Sequence, residues 1–369
     1  MQIRAALVPE LNKLSIETIT LAPPQPGELL VRMKSAGVCH SDLHTYRGEL
    51  RTVPPVVLGH EGAGLVETVG PGVTSVKPGD PVLINWLPAC EICPNCLNGH
   101  YNLCQQFDDT IFSGTLLNGT SRLQSARGDT LKHYLGAATM ADFAVVDEAS
   151  VVPIPTDVPF DVAAIIGCAV VTGVGAVLNT AQIQPGSSAA VIGCGGIGLS
   201  MVQGCQLAGC YPIVAIDVIT EKLDFAKKLG ATHTINGREV DVIQALREII
   251  PNRPDYVFDS VGSGQTIAQA LRAARPGGTA TIVGLHSATE NVPISPASLI
   301  FENKRLLGSF VGSIHPRFDL PKMVELYRSG RLQLDALITH RYNLDQLPTA
   351  FDDMEKGAIA ARGVIMFDH

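Results

Sequence analysis

The sequence predicts an α/β protein of two domains, one rich in short β-strands and one built on a doubly wound parallel sheet. Three observations lead there. Residues 1–160 break into short Val-, Ile- and Leu-rich runs separated by Pro-Gly and Gly-Asp turns. From about Gln184 strands and helices alternate. The string Gly193-Cys194-Gly195-Gly196-Ile197-Gly198 stands between a strand and a helix of that alternation. A chain of 369 residues is long enough for both domains.

In the first part, Leu29 to Lys34, Gly62 to Val69 and Pro81 to Asn85 read as strands of a barrel or partly open sandwich. Asn118 to Lys132 reads as a long polar loop. In the second part strands are expected at Ser188 to Ile192, Pro212 to Ile216, Thr232 to Ile235, Asp255 to Asp259 and Gly278 to Val283. Helices are expected at Ile197 to Leu207, Thr220 to Leu229, Val240 to Ile249 and Gln265 to Ala274. Two amphipathic helices, Leu320 to Arg328 and Asp345 to Glu355, and a strand, Gly363 to Phe367, close the chain.

Composition narrows the function. A net charge of -8 and a pI near 5.7 argue against a nucleic-acid surface. Met1 to Glu10 carries Arg4 and lacks the apolar run of a secretory signal. Val162 to Ile216 contains no charged residue, but its apolar part, Val162 to Leu178, falls short of the ~20 residues that span a bilayer. A buried helix is expected there, and no membrane partner. Nine cysteines, an odd number, favour a reducing, cytoplasmic setting over a disulfide framework.

Cys90, Cys93, Cys96 and Cys104 are spaced C-x2-C-x2-C-x7-C in a loop rich in Pro, Asn and Gly. Four thiolates so close in sequence fit one tetrahedral Zn²⁺, and a four-cysteine shell is closed, hence structural. In the glycine string, Gly193 permits a tight turn, Gly195 lets backbone approach a pyrophosphate, and Gly198 lets helix and strand pack. Gly196 and Ile197 open the helix whose free N–H groups face the phosphates. Asp217, nineteen residues after Gly198, ends the next strand. A carboxylate there accepts from ribose hydroxyls and repels a 2′-phosphate, which points to NAD over NADP.

Spacing alone does not join Cys39, His60 and Cys168. Their local strings do: Gly37-Val38-Cys39-His40-Ser41-Asp42-Leu43-His44, Gly59-His60-Glu61-Gly62-Ala63-Gly64 and Gly167-Cys168, in order around the cysteine loop and before the glycine string. Together they resemble the zinc-dependent medium-chain alcohol dehydrogenases over essentially the whole length. The resemblance implies a GroES-like β-rich catalytic domain over 1–172, completed by 310–369, and a Rossmann domain over 173–309. It implies a catalytic zinc on Cys39, His60 and Cys168, so two zinc ions per chain, and NAD. Asp42 would hydrogen-bond His60. Glu61 would stand behind the zinc, as a transient ligand or as a buried hydrogen-bonded carboxylate.

The chemistry so implied is oxidation of a primary alcohol to an aldehyde, and the reverse, by zinc-alkoxide formation and hydride transfer to nicotinamide. Zinc lowers the pKa of a bound hydroxyl from about 15.7 to about 7, worth about 12 kcal/mol at about 1.36 per unit. That exceeds what a general base alone supplies. Ser41 would take the proton and pass it towards His44. By the same resemblance His40 and Arg362 touch the pyrophosphate, Lys222 lies near the adenosine ribose, and Thr172 and Ile197 flank the nicotinamide. Leu50, Trp86, Tyr134, Leu135 and Leu285 would line the substrate pocket. That lining suits an apolar primary alcohol: allylic, aromatic or medium-chain aliphatic. Glutathione-dependent formaldehyde oxidation is the alternative, against which Asp108 stands where that branch usually has an Arg. A nucleotide-binding relative without catalysis is a reading of another class. The long loop between Cys104 and His133 otherwise resembles the glutathione-dependent branch and the dimeric alcohol dehydrogenases more than the short-loop tetramers, and this resemblance implies a homodimer over a tetramer.

Overall fold

The structure is a computed structural model and describes residues 1–106, 110–285 and 291–368. Two compact units share the chain. The first comprises residues 1–168, 315–329 and 334–369; the second comprises 169–314 and 330–333. The sequence reading put the first crossing after residue 172 and the return at 310.

In the first unit, Gln2–Val8, Ser15–Leu21, Leu123–Gln124, Thr130–His133 and Val56–Val57 close a small barrel. Its interior is filled by Ile3, Leu7, Ile19, Leu21, Leu123 and Leu131. A larger sheet runs Val151–Pro153, Pro81–Ile84, Gly62–Val69, Glu28–Val38, Arg362–Met366, Ile338–Tyr342, with Phe143–Asp147 paired to Glu28–Val38. The C-terminal strand returns to this sheet, Val364 opposite Gly37. That register brings the last residues of the chain beside the strand that leads into Cys39.

Two expectations need correction here. Residues 118–132 are not one loop, because Leu123–Gln124 and Thr130–His133 are barrel strands. Strands of two and four residues are too short to show a period. The apolar helix is also longer than expected. It runs Phe160–Thr180, 21 residues whose most apolar 18-residue window has a mean hydropathy of 2.1, so length does not argue against a membrane span. Burial does: 94% of its most apolar window lies inside the protein. The helix includes two stretches with wider turns, Ile166–Val170 and Ala176–Thr180.

In the second unit six parallel strands stand in the order His233–Asn236, Ile213–Asp217, Ala189–Ile192, Tyr256–Asp259, Thr279–Ile282, Arg305–Gly308. Chain order reverses at Ala189–Ile192, so the switch point where α/β sheets bind ligands lies at its carboxyl end. Five of these strands lie within a residue or two of their expected ranges. Arg305–Gly308, an edge strand that is half-exposed, shows no apolar run and was not foreseen.

Candidate active site

Cys39, the adjacent pair His60-Glu61, and Cys168 come from three separate places in the first unit. Cys39 directly follows the central strand Glu28–Val38 and is the N-cap of the helix His40–Arg47, here α1. His60 and Glu61 precede the strand Gly62–Val69, and Cys168 lies in the wide turn of the long helix. All four are buried, and one ligand atom from each lies within 4.8 Å of every other.

The polarity of this cluster is unusual for a core. His60 Nε2 is buried without a hydrogen-bond partner, and so is Glu61 Oε1. Such atoms cost stability unless something binds them. Asp42 Oδ2 lies 3.3 Å from His60 Nδ1, while Asp42 Oδ1 accepts from Gly59 N at 2.8 Å. Asp42 thereby fixes the imidazole and leaves Nε2 as its free donor atom. Cys168 hydrogen-bonds Cys39 and holds that thiol well below its usual range, against burial. Burial opposes a charge on His60, yet Asp42 and Cys39 together hold it well above its usual range. Two sulfurs and one unpartnered imidazole nitrogen fit zinc, with a Glu61 oxygen within the same cluster.

Glu61 Oε2 pairs with the Arg362 guanidinium, both buried. Burial pushes the Glu61 carboxyl up to about 7 against the pull of Arg362. The sequence reading left Glu61 as either a transient zinc ligand or a buried hydrogen-bonded carboxylate, placed Arg362 at the pyrophosphate, and did not join the two; separated by 301 positions, they carry no local signal. Gly37 makes room for the carboxylate, since a Cβ there would stand 2.0 Å from Glu61 Oε2.

α1 carries Ser41, Asp42 and His44. Cys39 Sγ and Ser41 Oγ are 3.7 Å apart, within hydrogen-bond reach. His44 Nδ1 pairs with Glu49 near the surface, and the His40 and His44 rings are 6.3 Å apart. Trp86 and Tyr134 meet the His60 ring edge-on, at 5.8 and 5.4 Å. Leu135 is buried and Leu50 half-buried, while Leu285 belongs to the second unit and is 54% exposed. Asp108 lies outside the described residues.

The second zinc-ligating group is Cys90, Cys93, Cys96 and Cys104, whose sulfurs lie within 4.8 Å of one another. Cys104 Sγ accepts from Cys90 N and Cys90 Sγ from Cys93 N, each at 3.3 Å. Backbone N–H groups hold the Cys93 thiol down at about 6. All nine cysteines are free, so the loop is not a disulfide framework.

In the second unit the glycine turn has room for a ligand. Gly193 sits at φ +89°, and a Cβ there would stand 2.5 Å from Ser260 Oγ. A Cβ on Gly198 would stand 1.8 Å from Gly193 O. Gly195 differs: its φ is -79°, and a Cβ would meet nothing within 4 Å. The fold does not need glycine there, whereas a phosphate approaching the backbone does. Asp217 Oδ2 accepts from Cys194 N at 2.7 Å, and Oδ1 from Val218 N and Ile219 N at 2.7 and 3.0 Å. The carboxylate therefore ties the glycine turn to the next strand, a role sequence reading missed. Thr172 is buried, and Ile197 and Lys222 are half-buried.

Comparison with known proteins decides the family. Residues 25–156 match the alcohol dehydrogenase GroES-like domain and residues 196–329 the zinc-binding dehydrogenase domain. An alcohol dehydrogenase class-3 of Cereibacter sphaeroides is 38% identical over the whole of both chains. The chain belongs to the zinc-dependent medium-chain alcohol dehydrogenases. An S-(hydroxymethyl)glutathione dehydrogenase of Paracoccus denitrificans is 37% identical, again over the whole of both chains. Among solved structures, benzyl alcohol dehydrogenase of Acinetobacter calcoaceticus superposes with a TM-score of 0.93 at 30% identity, over the whole of both chains. As a zinc-dependent dehydrogenase of this family the chain is an oxidoreductase, and its cofactors are zinc and NAD.

Proposed function

We propose that this dehydrogenase oxidises a hydroxymethyl group, –CH2OH, to a formyl group, –CHO, with hydride passing to NAD and one proton released. The observation that carries the proposal is the buried trio of Cys39, His60 and Cys168 with an unpartnered His60 Nε2. Bound zinc supplies Lewis acidity toward the hydroxyl oxygen, and NAD supplies the two-electron acceptor. The chain's own groups do the rest. Asp42 holds the imidazole in one tautomer. Ser41, two residues beyond Cys39 and on the first turn of α1, takes the hydroxyl proton. His44, one turn further along the same face and paired with Glu49, passes it towards solvent. Trp86 and Tyr134 close the His60 side against water, which strengthens the electrostatics within.

The carrier of the hydroxymethyl group is favoured by relatives to be glutathione. Four of the chain's curated relatives, at 37–38% identity, are class-3 alcohol dehydrogenases or S-(hydroxymethyl)glutathione dehydrogenases. They support this reading above the apolar alcohol that sequence analysis put first. A second reading, an aromatic primary alcohol, is favoured by the two aromatic edges on His60 and by Asp108, an anion where the thiol adduct's carboxylates want a cation. The test compares kcat/KM with NAD for formaldehyde plus glutathione and for benzyl alcohol. The first reading expects the thiol adduct to exceed benzyl alcohol by at least about tenfold, near 1.4 kcal/mol of transition-state binding. The reverse order selects the second reading, and turnover of neither rejects both.

A further inference from the structure

We propose that the Tyr134 hydroxyl is a positioning group for Ser41, holding the first turn of α1 in place for proton transfer. The sequence reading gave Tyr134 only a pocket wall, for which a phenylalanine would serve equally. The structure gives the hydroxyl a partner: it donates to Ser41 O at 2.9 Å. A helical carbonyl has a second lone pair to accept it without losing its own helix bond.

α1 needs such a hold. It has eight residues, and its N-cap is Cys39, whose side chain makes no capping hydrogen bond. A helix this short is not stable by itself, and with an uncapped start its first turn depends on contacts from other elements, among them Gly59 N donating to Asp42 Oδ1 at 2.8 Å. The cap position is given over to a metal-ligating sulfur, so the bracing comes from outside the helix. Tyr134 supplies it from a buried position, 1% exposed. The residues around Tyr134 are themselves fixed. His133, fully buried, accepts from Arg122 N through Nε2 at 3.1 Å. Leu135 and Gly136 turn the chain at φ 49° and 69° directly after the tyrosine. A non-glycine residue held at positive φ marks a segment that its surroundings over-determine. The same phenol ring packs edge-on against His60. One side chain thus sets both the zinc-ligating imidazole and the residue that receives the proton.

This assignment rests on the dehydrogenase reading of the site. The test is Tyr134→Phe, which keeps the ring against His60 and removes only the hydroxyl, in zinc-loaded enzyme with NAD. Steady-state parameters are measured with benzyl alcohol and with formaldehyde plus glutathione. Hydrogen exchange is followed at the α1 amides. The expected result is a kcat about fivefold lower with whichever substrates the wild type turns over, the worth of one neutral hydrogen bond. KM stays within about twofold, zinc stays at the wild-type level, and residues 41–45 exchange faster. An unchanged kcat overturns the assignment. So does a rise in KM confined to one substrate, which would make the phenol a substrate contact. A variant that fails to fold also overturns it, by giving the hydroxyl to the stability of the whole lobe. A wild type that turns over neither substrate counts against the dehydrogenase reading instead, and exchange at α1 then still reports on the hydroxyl.

Discussion

Arg122→Met removes the cation from a buried ion pair beneath the active-site wall. Glu28 is 0% and Arg122 6% exposed. The guanidinium donates to Glu28 through Nε at 2.8 Å and Nη2 at 2.7 Å. Breaking one partner of such a pair typically costs about 3–5 kcal/mol, because the other charge stays buried. Here Glu28 keeps two donors, Gln25 N at 2.9 Å and Asn118 Nδ2 at 2.8 Å. Those bonds to a charged acceptor offset part of the loss, so the expected cost is near the lower end, about 3 kcal/mol. Urea unfolding of zinc-loaded protein, followed by the fluorescence of Trp86, the sole tryptophan, reads this unit directly. The Glu28→Gln, Arg122→Met double variant should cost less than the two single changes summed, since each leaves the other group unpaired. A single-variant loss below about 1 kcal/mol, or simple additivity, would refute the reasoning.

Three further outcomes are expected. Burial, with Glu28 adding to it, raises Asp147 from 3.8 to about 6. The folded protein then binds more protons than the unfolded one across that window, so stability falls as pH rises towards 6 and is level above. Asp147→Asn keeps an oxygen for Leu117 N and lacks that loss; its melting temperature relative to wild type should be higher at pH 7.5 than at pH 5, and an equal difference at both would count against it. Gly37→Ala drives a methyl into the Glu61 carboxylate. Because Arg362 holds that carboxylate, the change should lower the melting temperature and deplete the catalytic metal while the cysteine loop keeps its own; retention of both ions with unchanged stability would be the contrary result. Gly195→Ala should leave thermal stability within about 0.5 kcal/mol of wild type and weaken NAD binding at least about tenfold, as titrated by quenching or calorimetry; unaltered binding would remove Gly195 from the phosphate site.

Much of the second unit was legible in the sequence because its buried strands are continuous apolar runs, such as Ala189–Ile192, set between amphipathic helices. Its edge strand Arg305–Gly308 was not, since an edge is half-wet and needs no such run. In the first unit the two-residue strands Val56–Val57 and Leu123–Gln124 fall below any detectable period; pairing with longer neighbours makes them strands. The cysteine loop was legible because its ligands are local. Cys39, His60 and Cys168 were not linked by spacing; local motif strings suggested them, and the fold brings them together. The Glu61–Arg362 pair and the hold of Tyr134 on Ser41 had no sequence signal. Both depend on strands and turns distant in the chain, and on which atom of a side chain is used.

The most direct measurement is the zinc content of purified, active protein, beside that of Cys168→Ala. Two ions per chain are expected in the parent. The variant should keep one ion and its melting transition while losing alcohol oxidation. One ion per chain in fully active parent protein, or a variant that loses no metal, would contradict a catalytic zinc held by Cys39, His60 and Cys168.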